Sequence, residues 1–311
     1  MKKKKVVLAL GGGGLKGYAH IGVIAALEDL GYEITGIAGT SAGGVFGSFY
    51  AYGYSIVEIL SFIHDIDKTK LFQRLPSDGP SLIGLKGLYQ ILDDKFGDKE
   101  LDQLKIPFAT TAVDINTNRE IFIDCGKLSD AVKATSAMPG VFPYVQKHNL
   151  TLVDGGVYDP VPVNLARWLV NNYPIIAVSL APEKDKAQVL SNLQIPTISP
   201  IPSSIVQYFA NMRLGKALDT FLISLDVMQM IMTDMQIQLT QPDVSLFPDT
   251  SKYYYIDDVN PDELIENGRR SVESAQKTIM DAVENFHPKP AKKTGLLLSE
   301  WLSDNDQRSV K

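Results

Sequence analysis

The sequence predicts an α/β fold with a mainly parallel central sheet, and three observations carry that expectation. Residues 6–10 form a short apolar run that ends in four glycines, Gly11 to Gly14, and then Ile21, Ile24, Ala25 and Leu27 share one helical face. Residues 34–38 repeat the theme: an apolar strand, then Gly39-Thr40-Ser41-Ala42-Gly43, then helical spacing through Val45, Phe46, Phe49 and Tyr50. Two strand–loop–helix units in succession argue for parallel strands covered by helices. Later apolar segments at 108–114, 120–124, 150–153 and 175–180 supply further strands of the same sheet.

Between these strands, 55–71 and 87–96 read as helices, and 75–87, rich in proline and glycine, as a loop able to flank a site. Residues 205–237 are helical in pattern and carry Met212, Met228, Met230, Met232 and Met235, which suit core packing or an adaptable lipid-contacting face. A strand is expected at 244–247 and a helix at 261–286, entered through Asn260 with Pro261 in its first turn. A single main domain is expected to occupy 6–286, with a motif-bearing core at 6–180 and a helical and C-terminal part at 181–286. Residues 287–311 read as a polar tail.

Composition is that of a globular chain: 311 residues, 45% hydrophobic and 21% charged. A net charge of -6 offers no positive field for a polyanion, which argues against nucleic-acid binding. Cys125 is the only cysteine, so no intramolecular disulfide forms within the chain and a reducing compartment is expected. The basic start is followed by an apolar run too short for a signal peptide, which needs about 7–15 residues. No window approaches the roughly 20 apolar residues of a membrane span. The expectation is a cytoplasmic protein with surface contact to lipid open to it, Lys2 to Lys5 reading as solvated lysines.

The chemistry-bearing signal is Gly39-Thr40-Ser41-Ala42-Gly43, a G-x-S-x-G placed where a strand turns sharply into a helix. Such an elbow strains its central residue, and glycines two positions to either side relieve clashes with strand and helix. Ser41 then sits at a helix N-terminus, where unpaired amides favour developing negative charge. Gly12 to Gly17 also spell G-x-G-x-x-G, but the acid that would hold a nucleotide ribose is missing after the second strand. Tyr18 stands where a P-loop needs lysine. No nucleotide is therefore expected, and the remaining use of the loop is an oxyanion hole of backbone amides. Lys16 reads as solvated or phosphate-facing. The third element is Val153-Asp154-Gly155-Gly156, an acid at a strand end, which parallel strands would bring to the same edge as Ser41.

The order G-x-G-x-x-G, G-x-S-x-G, D-G-G resembles the patatin-like phospholipase family, particularly its bacterial members. Supporting stretches are Ala19-His20-Ile21-Gly22, Ala137-Met138-Pro139-Gly140-Val141-Phe142-Pro143 and Asp159-Pro160-Val161-Pro162. The resemblance implies a three-layer α/β/α fold in which Ser41 is the nucleophile and Asp154 its only partner. It further implies oxyanion amides from Gly12, Gly13 and Gly14 with help from Ala42. Gly17, Gly39, Gly43, Gly155 and Gly156 would be motif supports. No metal or cofactor is implied, and the substrate would be a lipid or other acyl ester.

A lone aspartate is a weak base, since its reference pKa lies about 2.6 units below that of histidine, at most ~3.5 kcal/mol of proton affinity. One oxyanion donor contributes about 2.7–4 kcal/mol, so two amides could offset it. A Ser–His–Asp triad would have to draw on His20, His64, His148 or His287. His287 follows Asp154 in the right order but stands beside Pro288, and His20 reads as a packing or loop-bonding residue. Transfer of the acyl group to an alcohol or thiol, thioester hydrolysis, a non-catalytic lipid-binding module and a nucleotide-binding oxidoreductase are the competing readings.

Overall fold

The structure, a computed structural model, describes residues 4–66, 68–181, 213–253, 259–292 and 294–309. Strand β1 (Lys4–Leu10) leads through the glycine loop into α1 (Tyr18–Asp29). Strand β2 (Tyr32–Gly39) leads through Thr40 and Ser41 into α2 (Ala42–Tyr52). The chain continues through α3 (Ile56–Asp65), α4 (Lys68–Leu71), α5 (Lys86–Phe96), β3 (Phe108–Asp114), β4 (Arg119–Ile123) and α6 (Leu128–Thr135). Then come β5 (Val145–Lys147), β6 (Leu150–Asp154), α7 (Val163–Leu169) and β7 (Ile175–Val178). The last part holds α8 (Arg213–Thr240), β8 (Val244–Leu246), α9 (Pro261–Ser274), α10 (Gln276–Glu284), β9 (Leu296–Leu297) and α11 (Leu298–Ser309).

One sheet holds all these strands in the order β5-β6-β3-β2-β1-β7-β8, with β4 beside β3 and β9 beside β4. Alternation along β1 sets up the layers. Val6, Leu8 and Leu10 join α1, α2, α6 and α9 in one core, while Val7 and Ala9 join Val163, Leu165 and Ala166 of α7 in the other. Helices thus cover both faces, as expected of a three-layer fold.

The sheet departs from the expected simple parallel edge at β3. Gly39 of β2 pairs in parallel with Thr110, and Asp154 of β6 pairs antiparallel with Ala112. Because β4 pairs with residues 110–114 of β3, it occupies one edge of that strand, and β2 and β6 share the other in succession. Their C-terminal ends therefore point at each other across a gap two residues of β3 long. That end-to-end junction, not a common parallel edge, brings Ser41 and Asp154 to one place.

Three further expectations are corrected, and part of a fourth lies outside the described residues. The helix foreseen at 55–71 is two: α3 starts on a Ser55–Glu58 capping box, and its last turn gives way at Ile66 to extended backbone before α4. The helix at 261–286 begins as foreseen, with Asn260 Oδ1 accepting from the amides of Asp262 and Glu263, but breaks at Ala275 into α9 and α10. Of the methionine-rich stretch, residues 213–240 form α8 as foreseen for their part, and 205–212, with Met212, lie outside the described residues. The supposed tail returns to the sheet: Leu296 and Leu297 pair in parallel with Ile121 and Phe122, and Leu297 packs against Phe122 in the α7-side core.

Candidate active site

Ser41 occupies the elbow with φ 52° and ψ -120°, a positive φ that side chains rarely adopt. Three contacts hold it there. Its amide donates to Thr135 Oγ1 at 2.9 Å, the Thr40 amide to Leu10 O at 3.0 Å, and the Thr40 hydroxyl to Asp159 O at 2.9 Å. Gly43 admits no side chain, because a Cβ there would lie 2.0 Å from Leu10 O. Gly39 and Gly17 are similarly closed, by Gly44 N and by the Phe46 ring.

Asp154 caps the short turn that follows β6 and is 2% exposed. Its Oδ1 accepts from the Gly156 amide at 2.7 Å, and its own amide donates to Ala137 O at 2.9 Å. Gly155 is required behind it, since a Cβ would sit 2.0 Å from Thr111 Oγ1; Gly156 packs under Gln229 of α8. Burial pushes the Asp154 carboxyl up to about 7, while the Ser41 hydroxyl and the Gly156 amide act in the opposite direction. Oδ2 closes no hydrogen bond of good geometry. The Ser41 hydroxyl is thus near enough to be felt electrostatically, without a tight bond to Asp154 in the resting state, as apo sites commonly show.

The glycine loop divides its labour differently from the sequence-based expectation. The Gly12 amide donates to Pro160 O at 3.0 Å and is spent. Gly12 matters instead because a Cβ there would stand 3.3 Å from Ser41 Cβ. The amides of Gly13, Gly14 and Ala42 have no acceptor among the described residues, and Gly14 and Ala42 line the pocket beside Ser41. Gly14, with φ 58°, opens the turn that leads to α1, and Ala42 opens α2, so both amides are first-turn donors with no helical partner. Lys16, read as solvated or phosphate-facing, is 5% exposed, with its Nζ 3.6 Å from Asp226 Oδ1 of α8.

A pocket above Ser41 encloses about 900 Å³ of empty space, open solvent at its mouth included. Its walls are apolar: Phe46 and Phe49 of α2, Leu88 and Ile91 of α5, and Met138 and Phe142 from the segment before β5. Leu85, at the end of the foreseen flanking loop, also lines it.

No histidine lines this pocket. His20 is fully buried, with its Nε2 2.8 Å from Gly11 O; a carbonyl only accepts, so Nε2 carries the proton and donates. Burial lowers its pKa to about 4, so it is neutral and acts as a brace for the glycine loop. His287 is exposed, with its Nδ1 2.8 Å from Asn285 O. Two residues on, Lys289 bonds Gln241 O and Asp243, next to where β7 and β8 begin, which is the opposite end of the parallel strands from Ser41.

The sequence profile described as patatin-like phospholipase matches residues 8–167, about half of the chain. The chain belongs to the patatin-like phospholipase family. That match runs from within β1 to within α7 and takes in Ser41, the glycine loop and Asp154. The chain is 38% identical over 179 residues to an uncharacterized NTE family protein of Mycobacterium bovis, covering 57% of this chain and 49% of that protein. It is 28% identical over 200 residues to lysophospholipase NTE1 of Scheffersomyces stipitis, covering 60% of this chain and 12% of that protein. Neuropathy target esterase sws of Drosophila melanogaster is 28% identical over 185 residues, with 57% and 13% covered. The chain thus matches about half the length of the mycobacterial relative and about an eighth of the other two. Among solved structures, VipD from Legionella pneumophila is similar at 13% identity and a TM-score of 0.49, covering 90% of this chain and 67% of that one. No helix among the described residues is long and apolar enough to cross a membrane.

Proposed function

We propose that this patatin-like protein hydrolyses lipid acyl esters, of the phospholipid or lysophospholipid class, through a Ser41–Asp154 dyad. The observation that carries the reading is an apolar pocket whose wall contains Ser41 together with the unpartnered amides of Gly14 and Ala42. Ser41 Oγ attacks the ester carbonyl carbon while Asp154 takes its proton, and the C–O bond to the leaving alcohol breaks as Asp154 returns that proton. Water then attacks the acyl-enzyme by the same route and releases the fatty acid. The carbonyl oxygen turns toward the Gly13, Gly14 and Ala42 amides as it gains charge.

A carboxyl held at about 7 also supports the dyad, because it answers the weakness of a lone aspartate. Its rise from the ordinary value restores roughly 4 kcal/mol of proton affinity, on the order of the deficit against histidine.

The substrate approaches from a lipid surface. Among the described side chains of α8 from 220 to 239, the exposed ones are Thr220, Phe221, Ser224, Val227, Met228, Ile231, Met235, Gln238 and Leu239. None is charged, and they fall on one face at helical spacing. The helix lies beside the site, with Leu225 packed on Met138 and Val141 and Gln236 bonded to Tyr158 O. An uncharged apolar strip of this kind suits the headgroup–acyl boundary of a bilayer. A single cysteine supports a cytoplasmic setting, and the α8 face a location at the membrane periphery.

The test is hydrolysis of a panel of phospholipids, lysophospholipids and acylglycerols by the wild type and Ser41→Ala. Fatty-acid release that depends on Ser41 is expected; equal release by both, or none from any lipid, overturns the reading.

A further inference from the structure

On the α7 side of the sheet lies a second pair of buried acids that the dyad chemistry leaves unused. Glu120 of β4 and Asp159, in the loop that follows the Asp154 turn, are each 3% exposed. Glu120 Oε1 and Oε2 and Asp159 Oδ1 are all buried without a donor. Two ionised carboxylates can only accept, so facing oxygens stay orphaned unless one proton sits between them.

The described surroundings offer no other charge to settle the pair. Glu120 is approached by the Thr294 hydroxyl ahead of β9 and by Asp159, and Asp159 by the Val161 amide and by Glu120. Among the described residues no lysine, arginine or histidine contributes to either carboxyl. Burial first, and for Asp159 the Glu120 charge next, hold both groups above the ordinary carboxylate range.

The backbone of Asp159 and Pro160 touches all three segments of the site. Asp159 O accepts from the Thr40 hydroxyl at 2.9 Å, next to Ser41. Pro160 O accepts from the Gly12 amide at 3.0 Å, and the Asp159 amide donates to Gly155 O at 2.9 Å. Thr40 Oγ1 is also 2.7 Å from Thr111 Oγ1. Since the Thr40 proton goes to Asp159 O, Thr111 is the donor of that second bond, and it stands directly behind Gly155.

We propose that Glu120 and Asp159 are positioning residues, a carboxylic acid–carboxylate pair whose shared proton fixes the Asp159–Pro160 turn and so the spacing of elbow, glycine loop and Asp154. When that proton is lost, two negative charges face each other with no cation beside them among the described residues, and the turn yields. Both carboxyls are raised above their unfolded values, so the stability that their protonation contributes is present at low pH and lost as pH rises through the folded values. Asp154 must be ionised to work, and this pair must not be fully ionised. The acid and alkaline limits of activity therefore belong to different groups.

The proposal rests on the dyad reading for its activity arm alone. Wild type, Glu120→Gln, Asp159→Asn and Glu120→Ala are compared from about pH 5 to about pH 10, by hydrolysis of p-nitrophenyl butyrate and by thermal unfolding. A glutamine or asparagine amide donates to the remaining carboxylate at every pH. Glu120→Gln is therefore expected to keep kcat within about threefold at neutral pH, to lose the alkaline decline of kcat and to show a smaller alkaline decline of Tm than the wild type. Asp159→Asn repeats the comparison from the other side. Glu120→Ala strands Asp159, and its kcat is expected to drop at least ~10-fold with KM within about twofold. Alkaline declines that match the wild type in both amide variants, or a wild-type kcat in Glu120→Ala, would overturn the proposal. If the wild type turns over no ester, the dyad reading fails. The Tm comparison then decides alone: a gap between wild type and Glu120→Gln that does not change above neutral pH sinks the pair.

Discussion

The crossing of α1 with α9 and the junction of β2 with β6 are packed to the same tightness and for different ends. At the crossing, a Cβ on Gly22 would lie 1.8 Å from Ile265 O and one on Gly268 would lie 2.0 Å from Ala19 O, so the two helix backbones touch. At the junction, Gly43 and Gly155 are just as closely faced, by Leu10 O and Thr111 Oγ1. What differs is the polar bookkeeping around them. Gly22 and Gly268 lie inside regular helices, where backbone groups bond along the helix. At the junction, open amides at Gly14 and Ala42 stand beside a strained Ser41 and a carboxyl raised by burial. Tight packing alone marks structure; tight packing around unsatisfied polar groups marks chemistry.

The comparison is broken most sharply at Asp154. Asp154→Asn is expected to lower ester hydrolysis by at least ~1,000-fold in a kcat/KM assay, because the base is lost while the shape is kept. Its folded carboxyl is raised to about 7, so the wild type loses stability as pH climbs through that value. The variant removes that loss, and its Tm is expected to exceed the wild type's at alkaline pH and to match it or fall below it under acid conditions. An inactive variant with no such alkaline gain would show that Asp154 is not held protonated by burial.

Gly22→Ala and Gly43→Ala sharpen the same contrast. Each forces a Cβ onto backbone and is expected to cost on the order of 3 kcal/mol in urea unfolding. Gly22→Ala should keep the wild-type kcat per folded molecule, whereas Gly43→Ala should lose activity beyond its loss of folded protein. Equal specific activities would place the elbow outside the chemistry.

Smaller effects fall away from the junction. Ile231→Lys with Met235→Lys, on the uncharged face of α8, is expected to weaken sedimentation with phosphatidylcholine vesicles several-fold while leaving turnover of a water-soluble ester within about twofold. Binding left intact would remove lipid as the occupant of that face, and a dimer that the double variant dissolves would point to a second copy instead. His287→Ala, at the far end of the strands, should change kcat/KM by less than about twofold; a folded but dead variant would restore the triad.

Much of this was legible in the chain because the motifs sit on short, strongly apolar strands. The runs at 6–10, 34–38 and 108–114 are β1, β2 and β3, and both glycine loops end where foreseen. The direction of β6 was not legible: nothing in residues 150–154 distinguishes a parallel from an antiparallel neighbour, and only the register on β3 decides it. Helices α6 and α7, of 8 and 7 residues, are too short for periodicity to reveal. Strand β9 is two residues long and draws its place from Phe122 rather than from its own pattern. The commitment of the Gly12 amide to Pro160 depends on a partner nearly 150 positions away. The pairing of Glu120 with Asp159 is equally non-local, although an acid inside the apolar run of β4 was the available hint.

The rate of Ser41 phosphonylation by a fluorophosphonate, followed by intact mass and peptide mapping across pH, tests the dyad most directly. A single adduct on Ser41 is expected, with a rate that rises through an apparent pKa of about 7 in the wild type and collapses in Asp154→Asn. An adduct on another residue, or an Asp154→Asn rate equal to the wild type's with the same pH dependence, would contradict it.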